Sequence, residues 1–391
     1  LTMARKMKDS GIEWIGEIPE GWEVVPVKRL CTMQAGKNLT SEQIAPEGTY
    51  PVYGGNGIRG FFSDYNCDGQ FLTVGRQGAL CGNVHKINGK VWATEHAVIA
   101  TPSSYTILDF LYFLLIGMDL NQYVSSTAAQ PGLAVGTLLN LKTCYPCSTL
   151  EQTQISNYLN AKCSEIDVML SKIRSSIEEH KKLKQAVITQ AVTKGVRGER
   201  EMKDSGVEWI GKIPREFDPV QLKFFCKLIT DGTHFSPTTV ENGWPYITAG
   251  DVHGIGLDYN SAKRISEEDF QLLVAQGCQP LKGDVLLVKD GATTGRVGFV
   301  DSDTPCVILS SVAMLRPADN TDGHYLMYLL ASDFLQKQIL VSMAGSAMPR
   351  TTLTKLTKYI GLLPPLHEQK EIANYLDAKC AEIDKLIAKK E

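Results

Sequence analysis

The sequence predicts an α+β fold in which two mixed α/β domains stand in a pseudo-two-fold arrangement, joined by long helices that pair with each other as a spacer. Three observations predict it. A thirteen-residue segment, MKDSGIEWIGEIP from Met7, returns 195 residues later as MKDSGVEWIGKIP, with eleven positions identical. A second segment, EQTQISNYLNAKCSEID from Glu151, returns 217 residues later as EQKEIANYLDAKCAEID. Between the repeated segments, short strand-like runs mix with helical patterns.

The repeated segments divide the 391 residues into four parts. Residues 7–148 are predicted to form the first domain with its N-terminal arm, and residues 149–198 the central spacer helix. Residues 202–365 are predicted to form the second domain with its own arm, and residues 366–391 a second, short or truncated spacer helix. The repeated parts are then the framework, and the sequence between them is free to vary.

Each domain is expected to combine several strands with a helix. Runs rich in β-branched and aromatic residues, separated by Gly-rich joints, indicate the strands. In the first domain an extended region at 22–33 precedes the predicted strands Gln70–Val74, Val84–Ile87 and Val91–Trp92 and the helix Leu108–Met118. In the second domain the predicted strands are Cys226–Ile229, Tyr246–Ile247, Asp284–Val288, Val297–Val300 and Ser311–Leu315, and the helix is His324–Leu340.

The repeated EQ segment has the signals of a helix start. Ser148 and Glu151 have the spacing of a capping box, and Pro365 suits the first turn of the second copy. Apolar residues then recur at threes and fours from Ile155 to Ala191. This pattern predicts one amphipathic helix of about 42 residues, roughly 60 Å long. The expected partner for its apolar stripe is the second copy, and the alternative is a buried core helix of an ordinary domain.

The composition is that of a soluble globular protein, with 43% hydrophobic and 21% charged residues. No apolar stretch is long enough to span a bilayer and no secretory signal precedes Met7, which predicts a cytoplasmic protein. The ten cysteines are scattered along the chain, which favours free thiols. Cys144 and Cys147 lack the second ligand pair of a zinc site. The net charge of −3 is low for a protein that wraps DNA alone, so local patches or a partner would supply the positive field.

Motifs for catalysis and cofactor binding are missing from the sequence. The glycine clusters at 54–60 and 75–82 lack the lysine and the strand-to-helix context of a phosphate loop. We find no Asn-Pro-Pro motif of the kind that amino-methyltransferases use, no HExxH and no G-x-S-x-G. We therefore predict no catalytic residues, no cofactor and no metal, in a protein that recognises and positions while other proteins carry out chemistry.

The framework segments carry a family resemblance. The twin arms G-x-E-W-I-G-x-I-P, at Gly11–Pro19 and Gly206–Pro214, together with the twin EQxxIxxYLxxKxxEID helices, resemble the specificity subunits of type I restriction-modification systems. The resemblance spans nearly the whole chain. It implies a non-catalytic subunit whose two target-recognition domains each read one half of a bipartite, asymmetric site in double-stranded DNA. It implies that the long helices form an antiparallel coiled-coil spacer between these domains. It also implies assembly with methyltransferase (M) subunits, two of them, and through the complex with restriction (R) motor-nuclease subunits.

Residues for reading DNA are sought on loops that can enter a groove, because Arg, Lys, Asn, Gln and hydroxyl side chains carry base and phosphate contacts. In the first domain, the loop Gly75–Gly78 places Arg76 and Gln77 between glycines, and Lys289–Ala292 is the equivalent loop of the second domain. Ordinary solvated loop residues are the alternative reading. Further predicted contacts of the first domain are Arg59, Lys86, Lys90 and His96.

In the second domain, Asp231–His234 looks like a turn that recurs in some target-recognition domains of this family. Thr233 and His234 are therefore predicted contacts, and a structural hydrogen bond in the turn is the alternative for His234. Lys355 is expected to touch phosphate, and the pair Met348–Pro349 echoes Gln130–Pro131. The other predicted contacts of the second domain are Lys289, Arg296, Arg350, Thr351 and Thr352.

The paired tryptophans Trp14 and Trp209 repeat with the framework, which favours core anchoring over base stacking. Two other functions stay open on sequence alone. One is a free-standing methyltransferase with an unrecognised cofactor site, and the other is a protein-binding repeat scaffold without DNA readout.

Overall fold

The computed structural model describes residues 5–77, 81–124, 132–207, 210–343 and 349–391. The chain divides into two compact units, residues 1–170 and 171–391, and the division falls inside one long helix. Each unit combines helices with small sheets. Within the described ranges, no helix has both the length and the apolar character that crossing a membrane requires.

The first unit starts with a hairpin arm and ends in the first part of the long helix. Its elements are β1 (Met7–Asp9), β2 (Glu17–Pro19), β3 (Trp22–Pro26), β4 (Cys31–Ala35), β5 (Tyr50–Gly54), β6 (Gly57–Phe62), β7 (Gln70–Gly75), β8 (Val84–Asn88), β9 (Trp92–Ala93), β10 (Ala97–Pro102), α1 (Leu108–Gly117), α2 (Val135–Asn140), β11 (Lys142–Pro146) and α3 (Thr149–Lys194). The predicted strands of this domain and the helix at Leu108 are confirmed, with ends shifted by one or two residues.

An antiparallel sheet with the strand order β4-β10-β7-β8 forms the centre of the first unit. The strands of a three-stranded sheet, β6-β5-β9, lie between β4 and β10 in sequence, and β3 and β11, which pair with each other, lie before and after the central sheet. Leu72 and Val74 on β7 share one buried cluster with Leu111 and Leu115 on α1. The helix therefore covers one face of the central sheet, and the loops at the strand ends are held on a packed core.

The second unit repeats this plan with additions. Its elements are β12 (Met202–Asp204), β13 (Lys212–Pro214), β14 (Asp218–Gln221), β15 (Cys226–Asp231), β16 (Thr239–Val240), β17 (Trp244–Ile247), β18 (Gly254–Ile255), β19 (Lys263–Ile265), α4 (Glu267–Ala275), β20 (Val285–Val288), β21 (Val297–Phe299), β22 (Val307–Ile308), β23 (Val312–Pro317), α5 (Gly323–Ala331), α6 (Asp333–Met343), α7 (Leu353–Leu356), β24 (Ile360–Leu363) and α8 (Leu366–Ala388). The central sheet has the order β15-β23-β20-β21-β18, and a second sheet has the order β16-β19-β17-β22.

The single helix predicted at His324–Leu340 is wrong, because α5 and α6 are separate helices. Ser332 between them has an extended backbone, and its hydroxyl donates to the Leu329 carbonyl (2.6 Å). The next amide, on Asp333, donates to the Thr189 hydroxyl of α3 (3.0 Å). A tertiary contact therefore interrupts a helical pattern that the sequence carries without a break.

The two arms are built alike. In the first, Met7 pairs with Pro19, and the Asp9 carboxylate accepts a hydrogen bond from the Gly11 amide (2.9 Å). Gly11 has φ +66°, a left-handed conformation that favours glycine. The second arm has the same strand register and the same carboxylate-to-amide bond, 195 residues later. In the described residues, the shared sequence of the two arms therefore gives the same strand register and the same turn bond.

Trp14 does not anchor a core, which corrects the sequence-based expectation. It lies at the tip of the first arm and is 48% exposed. The turn before β2, closed by hydrogen bonds from the Ile15 and Gly16 amides to the Ile12 carbonyl, carries it away from the packed residues. Ile18 is the buried apolar residue of this arm instead. Trp209 lies outside the described residues.

The glutamine of each EQ segment fastens its helix to its domain. Gln152 is buried on α3, where its side-chain oxygen accepts from the Ile107 amide (2.8 Å). Its amide nitrogen donates to the carbonyls of Tyr105 (3.1 Å) and Pro146 (3.0 Å). Buried polar groups with all partners satisfied fix one geometry. Gln369 on α8 makes the same three contacts in the second unit, with Asp322, Asn320 and Pro364.

The glutamate of each EQ segment fastens the arm. The Arg5 guanidinium lies 2.5 Å from the Glu151 carboxylate and holds the pKa of that carboxyl below its usual value. The second unit has the same pair, Arg200 with Glu368, at 2.6 Å. Only half of the predicted capping box forms. The Ser148 hydroxyl accepts from the Glu151 amide (3.4 Å), but the Glu151 carboxylate is engaged by the arm.

Within the second unit, the C-terminal part of α3 and the residues after it run antiparallel to α8. Lys184 pairs with Asp384 (2.7 Å), and Arg197 pairs with Glu371 (2.9 Å). The later residue of α3 therefore pairs with the earlier residue of α8 and the reverse, so the two segments run in opposite directions. Ile188 and Val192 of α3 share one buried cluster with Ile372 of α8. The helix that begins with the second copy of the repeat is therefore a partner of α3, as predicted, and it packs on the C-terminal part of α3.

The predicted apolar stripe of α3 is only partly covered. Ile166 is 54% exposed, and Leu170 and Leu183 are also exposed. The buried face passes instead through Ile188, which the spacing pattern did not select. A strict repeat of threes and fours drifts around a helix, so it marks a face only approximately.

Candidate nucleic-acid interface

The loops that carry most of the predicted contacts meet at one end of each central sheet. In the first unit β4, β10 and β7 are antiparallel neighbours, so the ends of β4 and β7 and the start of β10 lie at the same end. We call the residues there, 36–38, 76–77, 95–96 and 132–133, the first loop edge. The corresponding residues of the second unit, 232–234, 289–290, 310–311 and 349–351, are the second loop edge.

Backbone hydrogen bonds hold the first loop edge together. The Arg76 amide donates to the His96 carbonyl (2.9 Å), and the Leu133 amide donates to the Arg76 carbonyl (2.9 Å). Gln77 and Gly132 form an antiparallel bridge. The segment after α1 is therefore attached to the loop after β7. Gly78, Gln130 and Pro131, which the sequence also singled out, lie outside the described residues.

The second loop edge has the same backbone connections. The Lys289 amide donates to the Ser311 carbonyl (2.8 Å), and the Thr351 amide donates to the Lys289 carbonyl (2.9 Å). Asp290 and Arg350 form the antiparallel bridge. Arg76 therefore corresponds to Lys289, and the other corresponding pairs are Gln77 with Asp290, His96 with Ser311, Gly132 with Arg350 and Leu133 with Thr351. Met348, the residue before this segment, lies outside the described residues.

The side chains of the first loop edge form a small polar group. Arg76 donates from Nε to the Leu133 carbonyl (3.2 Å), and within the described ranges it pairs with no carboxylate. Gln77 Oε1 lies 2.5 Å from His96 Nδ1, and Glu95 lies 3.2 Å from the other ring nitrogen. Arg76, Gln77 and His96 are half-buried. These contacts orient the side chains without enclosing them.

The side chains of the second loop edge form an ion-pair network around Lys289. Lys289 is 3% exposed, and its ammonium lies 2.7 Å from Asp290 and 3.3 Å from Asp231. Arg350 Nε lies 2.9 Å from the second oxygen of Asp290. His234 lies 3.7 Å from Asp231. A buried ammonium requires such partners, since desolvation without them is costly.

Three predicted contacts of the second domain are buried, which corrects their predicted role. Thr351 lies with its hydroxyl 2.6 Å from the Tyr359 hydroxyl. The Thr233 hydroxyl accepts from the Phe235 amide (2.9 Å) and closes the turn that carries His234. Lys289 is enclosed by its two carboxylates. These side chains hold the edge in place, whereas His234 and Arg350 are 71% and 61% exposed at the side chain.

The remaining predicted residues of the second domain flank the edge. The Thr352 hydroxyl caps α7 by accepting from the Lys355 amide (3.2 Å). The Lys355 ammonium donates to the Ser342 carbonyl (2.6 Å), and both Thr352 and Lys355 are exposed. Arg296 lies half-buried in the turn between β20 and β21. All three sit on segments that begin or end at the edge.

Two predicted residues of the first domain lie away from the first loop edge. Lys86, in the middle of β8, pairs with Asp109 of α1 (2.8 Å) and holds the pKa of that carboxyl below its usual value. Lys90 follows β8, whose last residue pairs with the first residue of β7, so it lies at the opposite end of the sheet. Arg59 is exposed on β6, with its side chain against Gly54.

Sequence reasoning missed Lys37, Asn38 and Ser311. Gly36 continues from β4 as Gly232 continues from β15, and the polar residues after each glycine lie in the loop edge. The signal was available in the runs A-G-K-N and D-G-T-H, where a glycine ends a strand and polar residues follow. Without the strand register, nothing in the sequence aligns the two runs.

Comparisons with known proteins place both halves in one family. A family model described as Type I restriction modification DNA specificity domain matches residues 19–179 and 214–391. The chain is 45% identical over 121 residues to the specificity subunit of the type I restriction enzyme EcoprrI of Escherichia coli, a match that covers 30% of either chain. It is 25% identical over 397 residues to the MjaVIII specificity subunit of Methanocaldococcus jannaschii, covering 95% of this chain and 88% of that one.

A solved structure shares the fold. A chain from work on complex assembly and conformational transition of the type I R-M system aligns with a TM-score of 0.68 at 17% identity, covering 95% of this chain and 93% of that one. The family match takes in most of the chain and falls once on each copy of the repeat. With its duplicated arms, sheets and EQ helices, the chain belongs to the specificity subunits of type I restriction-modification systems, which are non-catalytic DNA-recognition subunits.

Proposed function

We propose that the two loop edges each read one half of a bipartite, asymmetric target in double-stranded DNA. The two edges have the same backbone hydrogen bonds but different side chains at corresponding positions, and this observation supports the proposal. Arg76 corresponds to Lys289, and Gln77 corresponds to Asp290, in the same hydrogen-bonded frame. Different donor and acceptor patterns in equal frames would select different bases, because each base pair presents its own pattern in the major groove.

In the first unit we assign base contacts to Arg76 and Gln77, with His96 orienting the Gln77 amide. Arginine suits guanine and glutamine suits adenine, since both pairings are bidentate. The exposed Arg59 is assigned to phosphate. Lys86 and Lys90 are left out, because one is paired within the framework and the other lies at the far end of the sheet.

In the second unit we assign base contacts to His234 and Arg350, which are the exposed members of the edge. Arg296, Thr352 and Lys355 are assigned to the sugar-phosphate backbone, whose contacts fix register rather than sequence. Lys289, Thr233 and Thr351 are positioning residues, because their side chains are enclosed by protein.

The partners we propose are methyltransferase subunits, two per chain, and restriction subunits that join through the complex. A duplicated arm and helix would offer each methyltransferase a similar framework. These partners would supply the chemistry, flipping a base out of the duplex once this chain has placed them, and part of the positive field that a net charge of −3 does not provide. The complex would act on DNA in the cytoplasm.

The experiment is genomic methylation mapping. Cells carrying this chain with its methyltransferase are sequenced by a long-read method that detects modified adenine. The expected result is one bipartite, asymmetric motif. Replacing residues 22–147 by the corresponding domain of another specificity subunit is expected to change one half of that motif and leave the other half alone.

Three outcomes would contradict the proposal. Absence of any bipartite motif in cells where the complex assembles would favour a scaffold without DNA readout. A change in both halves after exchanging 22–147 would show that the two domains do not read independently. Tight binding of S-adenosylmethionine by the chain alone would also speak against a purely recognising role.

A further inference from the structure

The turn after β4 is fixed by the backbone in the same way as the turn after β15. The Gly36 amide donates to the Ala97 carbonyl (3.0 Å), and the Lys37 amide donates to the Ala93 carbonyl (2.9 Å). A Cβ atom on Gly36 would lie 2.3 Å from the carbonyl oxygens of Ala93 and Thr94. Only glycine fits there, so the chain leaves the strand along one path.

The second unit uses an equivalent glycine. The Gly232 amide donates to the Val312 carbonyl (3.3 Å), and the Thr233 amide donates to the Ile308 carbonyl (3.0 Å). A Cβ atom on Gly232 would lie 1.9 Å from the Ile308 oxygen. The residues after the two glycines therefore correspond, Lys37 with Thr233 and Asn38 with the exposed His234.

Lys37 lies beside the loop of Arg76 and Gln77. The amides of Lys37 and Arg76 bond to the carbonyls of Ala93 and His96, which are three residues apart on the segment leading into β10. Lys37 and Asn38 are both exposed. In the described part of the chain the Lys37 ammonium forms no ion pair, so its charge is available to an outside partner.

We propose that Lys37 and Asn38 are DNA contacts of the first loop edge, an inference that rests on the proposed function of that edge. Lys37 carries a compact, flexible charge that suits a backbone phosphate. Asn38 presents an amide at the position of His234, and an Asn amide pairs with the adenine edge in the major groove. Lys37 then contributes affinity without sequence preference, and Asn38 contributes to the choice of base in the first half-site.

The test uses the complex of the full chain with its methyltransferase and a duplex containing the methylated motif. In Lys37→Met, the slope of log affinity against log salt is expected to fall by about 0.9, the value for one phosphate contact, while the motif stays the same. In Asn38→Ala, discrimination at one position of the first half-site is expected to fall roughly 5- to 150-fold, while the second half-site is unchanged. Lys142→Met is the matched control, because Lys142 is exposed at the start of β11 and its strand partner Pro26 lies before β4, away from the edge.

The outcomes separate this inference from the function on which it rests. If the wild-type complex methylates no bipartite motif, the proposed function fails and this inference fails with it. If the wild-type motif is present but Lys37→Met keeps the full salt slope and Asn38→Ala keeps the motif, this inference alone is wrong. A change in the second half-site from Asn38→Ala would also overturn it. Thermal unfolding midpoints equal to wild type would show that both variants fold.

Discussion

The two loop edges share a backbone and differ in how they use charge. In the described part of the first edge, the basic side chains of Lys37 and Arg76 pair with no carboxylate. In the second edge, Lys289 and Arg350 are both paired with Asp290. The first edge thus has cationic groups available to a polyanion. The second edge has a rigid ion network from which His234 and Arg350 project.

The repeated arms and EQ helices differ from the loop edges, because both their sequence and their side-chain contacts are duplicated. Gln152 and Gln369 each make three hydrogen bonds to equivalent backbone groups, and Glu151 and Glu368 each hold an arm arginine. The repeated residues therefore set the position of each edge. The residues that do not repeat are then free to set its chemistry.

The largest expected effect comes from breaking the buried network. Lys289→Met leaves Asp231 and Asp290 without their shared cation, and removing one partner of a buried pair costs about 3 kcal/mol or more. Arg76→Met at the corresponding position removes one hydrogen bond at a half-buried site, about 1 kcal/mol. Hydrogen exchange of the β20 and β7 amides measures the two costs separately. Equal losses of local unfolding free energy in both variants would contradict the predicted difference between the two edges.

A matched pair of framework variants should behave alike. Gln152→Leu and Gln369→Leu each remove three hydrogen bonds and leave buried backbone groups without partners, at about 1 kcal/mol for each bond. We expect similar losses of local unfolding free energy, seen as faster exchange of the Ile107 and Asp322 amides. A large loss in one variant and none in the other would show that the two units are not held by the same contacts.

Gln77→Glu is expected to change base preference in the first half-site, with a smaller free-energy change than the framework variants. The substitution removes the amide donor and leaves only acceptors, so a contact made to adenine is lost, at roughly 1 to 3 kcal/mol of discrimination. The change should be confined to the first half of the methylated motif. Gln70→Glu is the control, because Gln70 is exposed at the start of β7, the strand that leads into Gln77, and so lies at the opposite end of the sheet. An unchanged motif in Gln77→Glu would remove Gln77 from the proposed readers.

The smallest expected effect is on salt dependence at the second edge. Arg350 is assigned to a base and is already paired with Asp290, so Arg350→Gln should lower the salt slope by less than the value of about 0.9 for a full phosphate contact. Lys37→Met should lower it by more. Titrations of DNA binding at several salt concentrations compare the two. A larger change from Arg350→Gln would reverse the proposed contrast between the edges.

Sequence patterns predicted the parts that repeat or that have strong local signals. The helix at Leu108, the strand at Gln70 and the pairing of the two long helices followed from spacing and duplication, and the antiparallel direction of that pairing followed from the family resemblance. Trp14 was misjudged, because repetition marks a framework residue without saying whether it is buried. The break at Ser332 was missed because it depends on a contact with Thr189 in α3.

The site was predicted less completely than the fold. Arg76, Gln77 and His96 were selected from loop composition, and the structure brings them together. Lys289 looked like an available cation, but its neutralising Asp231 lies 58 residues earlier on another strand. Lys37 was missed because only strand register aligns it with Thr233. Whether these side chains are exposed depends on pairings between strands that are distant in sequence. The local sequence does not encode those pairings.

The central claim is that the two loop edges, which share backbone hydrogen bonds but differ in their side chains, read different halves of one DNA target. The most direct measurement is binding of the Gln77→Glu and Arg350→Gln complexes to two DNA libraries, each with one half-site randomised. We predict that Gln77→Glu changes preference only in one library and that Arg350→Gln changes it only in the other. If both variants alter the same half, or alter every position equally, the account of two independent loop edges is wrong.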